Sequence, residues 1–317
     1  MQFIKWLLLG VVLVVAGLVG FTGFMARWAE RQVPSDGRFI EIDGQNLHYI
    51  DEGAGPVILM IPGLASNTHH FSYALTGLLN KQFRVVAVDR PGAGYSTRAK
   101  DAPANLRAQA RTLIRFLDAL KLDHPLVVGH SLGGGVALAM AVEAPGKIGG
   151  LALIAPFSNG ASEPPEPFRG LVIASPLKRK IIAWTLAAPM TLMNAKGLAL
   201  VFAPEAVPDD FQTRGGGYLN LLPANFCGAS ADVMAANADI PEMVKAYPKL
   251  AMPVGVLFAR DDAILDYRAQ GEALKRELPA TNLVLLEHGG HMLPFTEPAQ
   301  TAEFIRAMAA RAFGQTR

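Results

Sequence analysis

The sequence predicts an α/β protein: a mostly parallel sheet with helices on both faces, preceded by a helix long enough to cross a membrane. Three observations carry this expectation. Short apolar runs alternate with amphipathic helical patterns along most of the chain, the order that builds a parallel sheet by crossover units. That alternation stops for about ninety residues, 157 to 249, and then resumes, which marks an insertion between two strands of one sheet. The N-terminus is made of different material: Trp6 to Met25 contains no charge and only Thr22 as a polar side chain.

At about 1.5 Å per residue, that run reaches roughly 30 Å, the thickness of a bilayer core. Trp6 and Trp28 stand where interfacial aromatics belong. A cleaved signal peptide is the rival reading, but the apolar run is long for one and no A-x-A site follows it, so an uncleaved anchor is expected. The flanks disagree on orientation. Arg27, Arg31 and Arg38 against Lys5 favour a cytoplasmic domain, whereas the very short N-terminal tail favours a domain outside. The outside arrangement is the expectation adopted. Residues 1–37 are therefore assigned to anchor and linker, 38–156 and 250–317 to the sheet domain, and 157–249 to a helical lid.

Along the sheet domain, "RFIEID" and "QNLHYIDEG" alternate as a half-exposed hairpin does, with Asp43-Gly44 at the turn. "PVILMIPG" is a continuous apolar run, the pattern of a buried parallel strand. A helix is expected from His69 to Lys81, then the strand "FRVVAVDRPG". A helix from Asn105 to Leu120 gathers Leu106, Ala110, Leu113, Ile114 and Leu117 on one face. The strand "PLVVGHS", a helix from Leu132 to Ala144 and the strand "GLALIAP" follow. After the insertion come "PVGVLFARDD", a helix from Tyr267 to Leu278, "NLVLLEH" and a last helix from Pro298 to Phe313. Within the insertion, Pro189, Asn194 and Lys196 interrupt the apolar stretch Ile181 to Phe202, so it reads as a lid helix pair and not as a second span.

The formal charge of +2 comes with no dominant basic patch, which excludes nucleic acid as the main partner. The single cysteine, Cys227, permits no internal disulfide and no thiolate metal cluster, and it reads as buried filler. No metal or organic cofactor is implied.

The chemistry concentrates at "GHSLG". A G-x-S-x-G pentapeptide means little alone, but here it follows an apolar strand and opens a helix, the context that gives it force. Gly129 and Gly133 leave room for a sharp turn, and Ser131 is offered as a nucleophile. A serine hydroxyl needs a base beside it. His291 is chosen, because it lies in the loop beyond the last strand behind Gly289-Gly290, while His288 sits nearer the strand end and reads as structural. The base needs a carboxylate to hold its tautomer. "ARDDAIL" offers Asp261 and Asp262 at a strand end; Asp262 is chosen, and Asp266 already enters a helix. The amides of Leu132, directly after the serine, and Leu64, freed by Gly63, are expected to stabilise an oxyanion. Asp89 in "DRPGAGYS" reads as part of a structural turn. His48 and His124 read as ordinary strand and loop residues, and His69 and His70 either line the site or begin a helix.

Taken together, "IPGLAS", "DRPGAGYS", "GHSLGGG", "ARDDAIL" and "GGHMLPFTEP" resemble the α/β-hydrolase family with a helical cap, over nearly all of Arg38 to Phe313. The resemblance implies Ser131, Asp262 and His291 as the catalytic triad, with Leu64 and Leu132 at the oxyanion hole. Two departures stand out: Pro62-Gly63 where the family often has His-Gly, and Ala259 where relatives often carry glycine. Dehalogenases and epoxide hydrolases of this fold use aspartate where this chain has Ser131, so an acyl-enzyme is expected. The lid is strongly apolar, with Leu171, Ile181, Trp184, Met190 and Phe202 among its residues, and suits a lipophilic acyl group. The expected activity is that of a membrane-anchored carboxylesterase or lipase acting on a small lipophilic ester. The alternatives are a thioesterase, a C–C bond hydrolase of ring-cleavage diketones using lid cations such as Arg169, or a binding protein without turnover.

Overall fold

The computed structural model describes residues 2–314. Eight strands form one sheet: β1 (Arg38–Ile42), β2 (Gln45–Glu52), β3 (Val57–Ile61), β4 (Arg84–Val88), β5 (Leu126–His130), β6 (Gly150–Ile154), β7 (Val254–Ala259) and β8 (Asn282–Leu286). Their spatial order is β1-β2-β4-β3-β5-β6-β7-β8, with β2 antiparallel to both β1 and β4 and all other pairs parallel. The predicted hairpin is present. Asp43 and Gly44 have φ of 51° and 72°, the doubly left-handed turn that matches the twist of the strands it joins.

β3, β5, β6 and β7 are buried almost throughout, because helices cover both faces. The helices Leu106–Leu120 and Leu132–Glu143 pack on one face around Leu113, Phe116, Val136 and Met140. On the other face Leu75–Leu79 and Pro298–Gly314 enclose Leu75, Leu79, Ile305 and Met308. From β3 the chain crosses to β4 on one side, and from β4 it returns past β3 to β5 on the other. The order of the sheet reverses there, and ligands of open α/β sheets bind at the carboxyl ends of strands at such a switch point.

Four expectations need correcting. The expected linker is helical as far as Gln32, in one helix Gln2–Gln32, because Ala26 to Gln32 are all compatible with a helix and the first breaker is Pro34. The expected helix 69–81 is two short pieces, His69–Ser72 and Leu75–Leu79; the break falls at Ala74, whose φ of −144° leaves the helical region, and burial of Phe71, Leu75 and Leu79 holds each piece. The expected helix 267–278 opens as a wide π turn, Arg268–Glu272, before Ala273–Glu277, with Gly271 letting Phe258 and Leu283 pack close. Residues 157–249 contain no strand, as expected, but the apolar run 181–202 divides into three helices: Pro176–Thr185, Ala187–Met193 and Ala195–Phe202.

Candidate active site

Ser131 stands between β5 and the helix Leu132–Glu143 with φ 54° and ψ −123°, a conformation that costs a non-glycine residue about 1–3 kcal/mol. The backbone is held there from both sides. The Ser131 amide donates to Ile154 O at 3.0 Å, and the Ser131 carbonyl accepts from Gly134 at 2.9 Å and Phe157 at 2.9 Å. The flanking glycines are sterically required. A Cβ on Gly129 would lie 2.6 Å from Gly133 O, and one on Gly133 would lie 2.2 Å from Ile61 O. The turn is thus wedged against the end of β3, and any side chain there would push the two apart.

His291 and Asp262, the chosen pair, meet. His291 Nδ1 donates to Asp262 Oδ2 at 2.8 Å, and both side chains are almost fully buried. The other carboxylate oxygen, Oδ1, accepts the amides of Ile264 at 2.8 Å and Leu265 at 2.9 Å, which fixes its plane. With its proton on Nδ1, a neutral His291 presents a bare Nε2 that can accept another. The rejected pair lies apart: His288 is 94% exposed and 3.5 Å from the half-exposed Asp261. Asp266 accepts the Arg268 amide at 2.7 Å, a turn-forming role.

His130, directly before the serine, ties the two loops together. Its Nε2 donates to the His291 carbonyl at 3.0 Å, and the two rings lie 5.0 Å apart. Burial drives the His130 pKa down to about 3, so the ring is neutral and carries its proton on Nε2. The Ser131 hydroxyl hydrogen-bonds to no described residue and opens into the cleft.

That cleft is open to solvent, spans about 560 Å³ with the open space at its mouth included, and is mainly apolar. Leu64, Ser131 and Leu132 lie together on its lining. Leu132 is the first residue of its helix and Leu64 sits in the loop after β3; neither amide donates to another described residue. Gly63 belongs here for a steric reason, since its Cβ would stand 3.0 Å from Ser131 Cβ. The far wall corrects an expectation. It comes from residues such as Glu163, Pro165, Phe168, Val233 and Asn237, and none of the lid residues from Leu171 to Phe202 lines the cleft. Several of those face solvent instead.

One participant was missed in the sequence. Arg90 is completely buried and donates through Nε to Pro62 O at 2.8 Å and through Nη2 to Gly63 O at 2.6 Å. The Gly63–Leu64 peptide is trans, so its N–H points opposite to its C=O; holding the carbonyl on Arg90 aims the Leu64 amide away from Arg90. The same guanidinium donates through Nη1 to Asp232 Oδ2 at 2.6 Å and to Gln109 Oε1 at 2.8 Å. Asp232, on the helix Pro223–Ala235, also pairs with Arg98. A buried charge network therefore joins the inserted segment to the loop after β3. Asp89 is structural, as expected. Its carboxylate accepts the Thr68 and Tyr95 amides at 2.7 and 2.9 Å and pairs with His48 at 2.8 Å, which makes His48 more than an ordinary strand residue. His69 and His70 both fall in the short helix His69–Ser72, and neither lines the cleft.

A mainly parallel sheet, a serine in a strained strand-to-helix turn and a buried His–Asp pair at the same sheet edge define an α/β hydrolase. The family profile of the alpha/beta hydrolase fold matches residues 56–298, and the chain belongs to that family. Among relatives, the magnesium-chelatase 30 kDa subunit of Rhodobacter capsulatus is 26% identical over 276 residues, 84% of this chain and 91% of that one. The 2-hydroxymuconate semialdehyde hydrolase of Pseudomonas sp. (strain CF600) is 35% identical over 138 residues, 43% of this chain and 48% of that one. Among solved structures, a membrane phospholipase A described as a bacterial virulence factor superposes with a TM-score of 0.65 at 22% identity, covering 99% of both chains. These names span several activities, so the matches identify the fold and a hydrolase family, and the reaction has to be argued from the site.

Proposed function

We propose that this protein is a membrane-anchored serine hydrolase that cleaves carboxylic esters of lipophilic acyl groups through an acyl-enzyme. The observation that carries the reading is Ser131, held in a strained turn at the wall of an apolar cleft, with two undonated amides on the same wall. His291 takes the proton from Ser131 Oγ as that oxygen attacks the ester carbonyl. Asp262 keeps the acceptor nitrogen bare and supports the imidazolium that forms. The Leu64 and Leu132 amides receive the developing oxyanion, and each such donor contributes about 3–4 kcal/mol to the barrier reduction. Collapse of the tetrahedral intermediate expels the alcohol, protonated by His291. Water, activated by the same imidazole, then releases the acid.

The apolar lining of the cleft supports an acyl chain over a charged substrate, with Glu163 the only charged residue on its wall among the described residues. The same lining disfavours the ring-cleavage alternative, whose substrates bear carboxylates. Arg169 makes an exposed pair with Glu163 at 3.5 Å and does not line the cleft. We read Gln2–Gln32 as an uncleaved anchor, which its length, the mean hydropathy of 2.5 over its most apolar 18 residues and its exposure support. Residues 157–249 act as the cap over the site.

The test is labelling of the purified full chain with a fluorophosphonate, beside turnover of p-nitrophenyl esters of graded chain length. Labelling lost in Ser131→Ala, with medium or long acyl esters preferred, is the expected result. A wild-type chain that neither labels nor turns over any ester refutes the proposal.

A further inference from the structure

The helix Pro176–Thr185 carries Leu177, Ile181 and Trp184, and the segment after it carries Leu186, Met190 and Met193. Each set falls at i, i+4, i+7 and makes one stripe along a helix face. A stripe of large apolar residues normally marks the face packed on the core. Here both stripes point outward: Leu177 is 69% and Met193 84% exposed, and the other four are close to half exposed. What these helices bury is small, namely Ala183, Ala187 and Ala188.

The N-terminal helix packs against these same elements. Thr22 and Ala29 are completely buried, and Ala29 clusters with Ala188 and Leu221, flanked by Met25, Trp28, Tyr218 and Leu222. The Trp28 and Tyr218 rings meet edge to face at 4.6 Å. Thr22 and Met25 belong to the last turn of the uncharged run that begins at Trp6. When that run fills the bilayer core, the protein surface covering Thr22 and Met25 is level with the edge of the acyl chains. The two outward stripes lie on the helices that pack there. Lys178 and Lys180 beside the stripes are exposed and pair with no described carboxylate, as are Arg27 and Arg31 on the anchor, a set of charges suited to anionic lipid headgroups.

We propose that the stripes Leu177/Ile181/Trp184 and Leu186/Met190/Met193 form a second membrane contact, seated in the interfacial layer of an anionic bilayer beside the anchor. This rests on reading Gln2–Gln32 as an anchor. The contact fixes the tilt of the domain, because a single helix and a second patch define a plane. It also brings the cleft toward lipid, since the cleft residues Pro164, Pro165 and Phe168 lead along the chain to the exposed Val172.

The test uses the full chain in vesicles of phosphatidylethanolamine and phosphatidylglycerol with brominated acyl chains, which quench tryptophan on contact. The protein has three tryptophans, so Trp6→Phe/Trp28→Phe leaves Trp184 alone and Trp28→Phe/Trp184→Phe leaves Trp6 alone. Loss of most emission from both single-tryptophan proteins is expected. Quenching of Trp6 with full emission from Trp184 overturns the second contact and leaves the anchor standing. Absence of quenching at both overturns the anchor reading itself. Concentration-dependent dimerisation in detergent that shields Trp184, with no quenching in vesicles, assigns the stripes to a second copy and also overturns the proposal. As a second measure, Ile181→Glu/Met190→Glu alters only outward positions. It is expected to slow hydrolysis of a vesicle-embedded ester while leaving a soluble short ester unaffected; equal rates on both would count against the contact. The fluorescence result does not depend on catalysis, so failure of the esterase reading is seen separately.

Discussion

Arg90→Lys separates the two things Arg90 does. Lysine keeps a positive charge facing Asp232, but one ammonium cannot also reach the carbonyls of Pro62 and Gly63 as the fork of the guanidinium does. Two buried carbonyls then lose charge-assisted partners. At about 1–3 kcal/mol for each unsatisfied group, the loss of stability is roughly 2–6 kcal/mol. The functional loss follows from the peptide plane: with Gly63 O released, the Leu64 amide is no longer aimed at the oxyanion, and removal of one such donor costs about 10²–10³ in kcat. We expect kcat to fall toward that range with KM little changed, because the ground-state carbonyl depends on this donor less than the oxyanion does. The assay pairs urea unfolding with steady-state turnover of a p-nitrophenyl ester at a temperature where the variant is folded. Asp232→Asn is the comparison. It unbalances the buried charges of Arg90 and Arg98, and so destabilises by about 3–5 kcal/mol, yet leaves the fork on the loop and kcat close to wild type. A folded Arg90→Lys protein with wild-type kcat would refute the argument that Arg90 aims the Leu64 amide.

Three further outcomes are expected. Asp262→Asn should fold, since the Ile264 and Leu265 amides keep an oxygen acceptor, but lose about 10⁴ in kcat by imposing the wrong imidazole tautomer; a loss below tenfold on a good ester would remove Asp262 from the mechanism. Gly133→Ala should lower both stability and labelling of Ser131, because the new Cβ would lie 2.2 Å from Ile61 O, and unchanged urea unfolding would contradict the close packing of elbow on β3. Stability should fall on acidification. Burial holds His70 well below its ordinary pKa of 6.5 and His130 at about 3, so from pH 6.5 downward the unfolded chain binds protons that the fold does not. This contribution is full above pH 6.5 and is lost progressively as pH falls toward 3; His70→Phe, placing an apolar ring beside Phe211 and Phe295, should flatten the decline of urea midpoints, and an unflattened decline would exclude His70 as a contributor.

What could be read from the sequence was set by short-range signals. The Asp43-Gly44 hairpin, the strand runs and the G-x-S-x-G turn each declare themselves within a dozen residues. Their order along the chain was enough to place Ser131, Asp262 and His291 at one sheet edge. His291, and not His288, meets Asp262, because a Gly-Gly turn carries the chain back over the sheet. The Arg90–Asp232 pair had no such signal: its members are separated by 142 positions, and a lone arginine after a strand announces no partner. The cleft wall was misplaced for a related reason. An apolar helical stripe says that a face must be covered, but not whether by core, substrate or another medium, and the protein leaves the stripes of Leu177–Met193 about half exposed or more.

The inserted segment is fastened to the sheet domain at many points: Asp239 to Asn105 and the Arg107 amide, Asp232 to Arg90, Ser158 to Gln270, and Glu205 to the Gly290 amide. A body riveted at four corners does not swing open like a door. The stretch 161–168, by contrast, is tied across by the paired hydrogen bonds of Ala161 with Asn237. If the cleft widens for a guest, the small flap beside the mouth, held at one latch, is the part expected to give, while the roof stays in place.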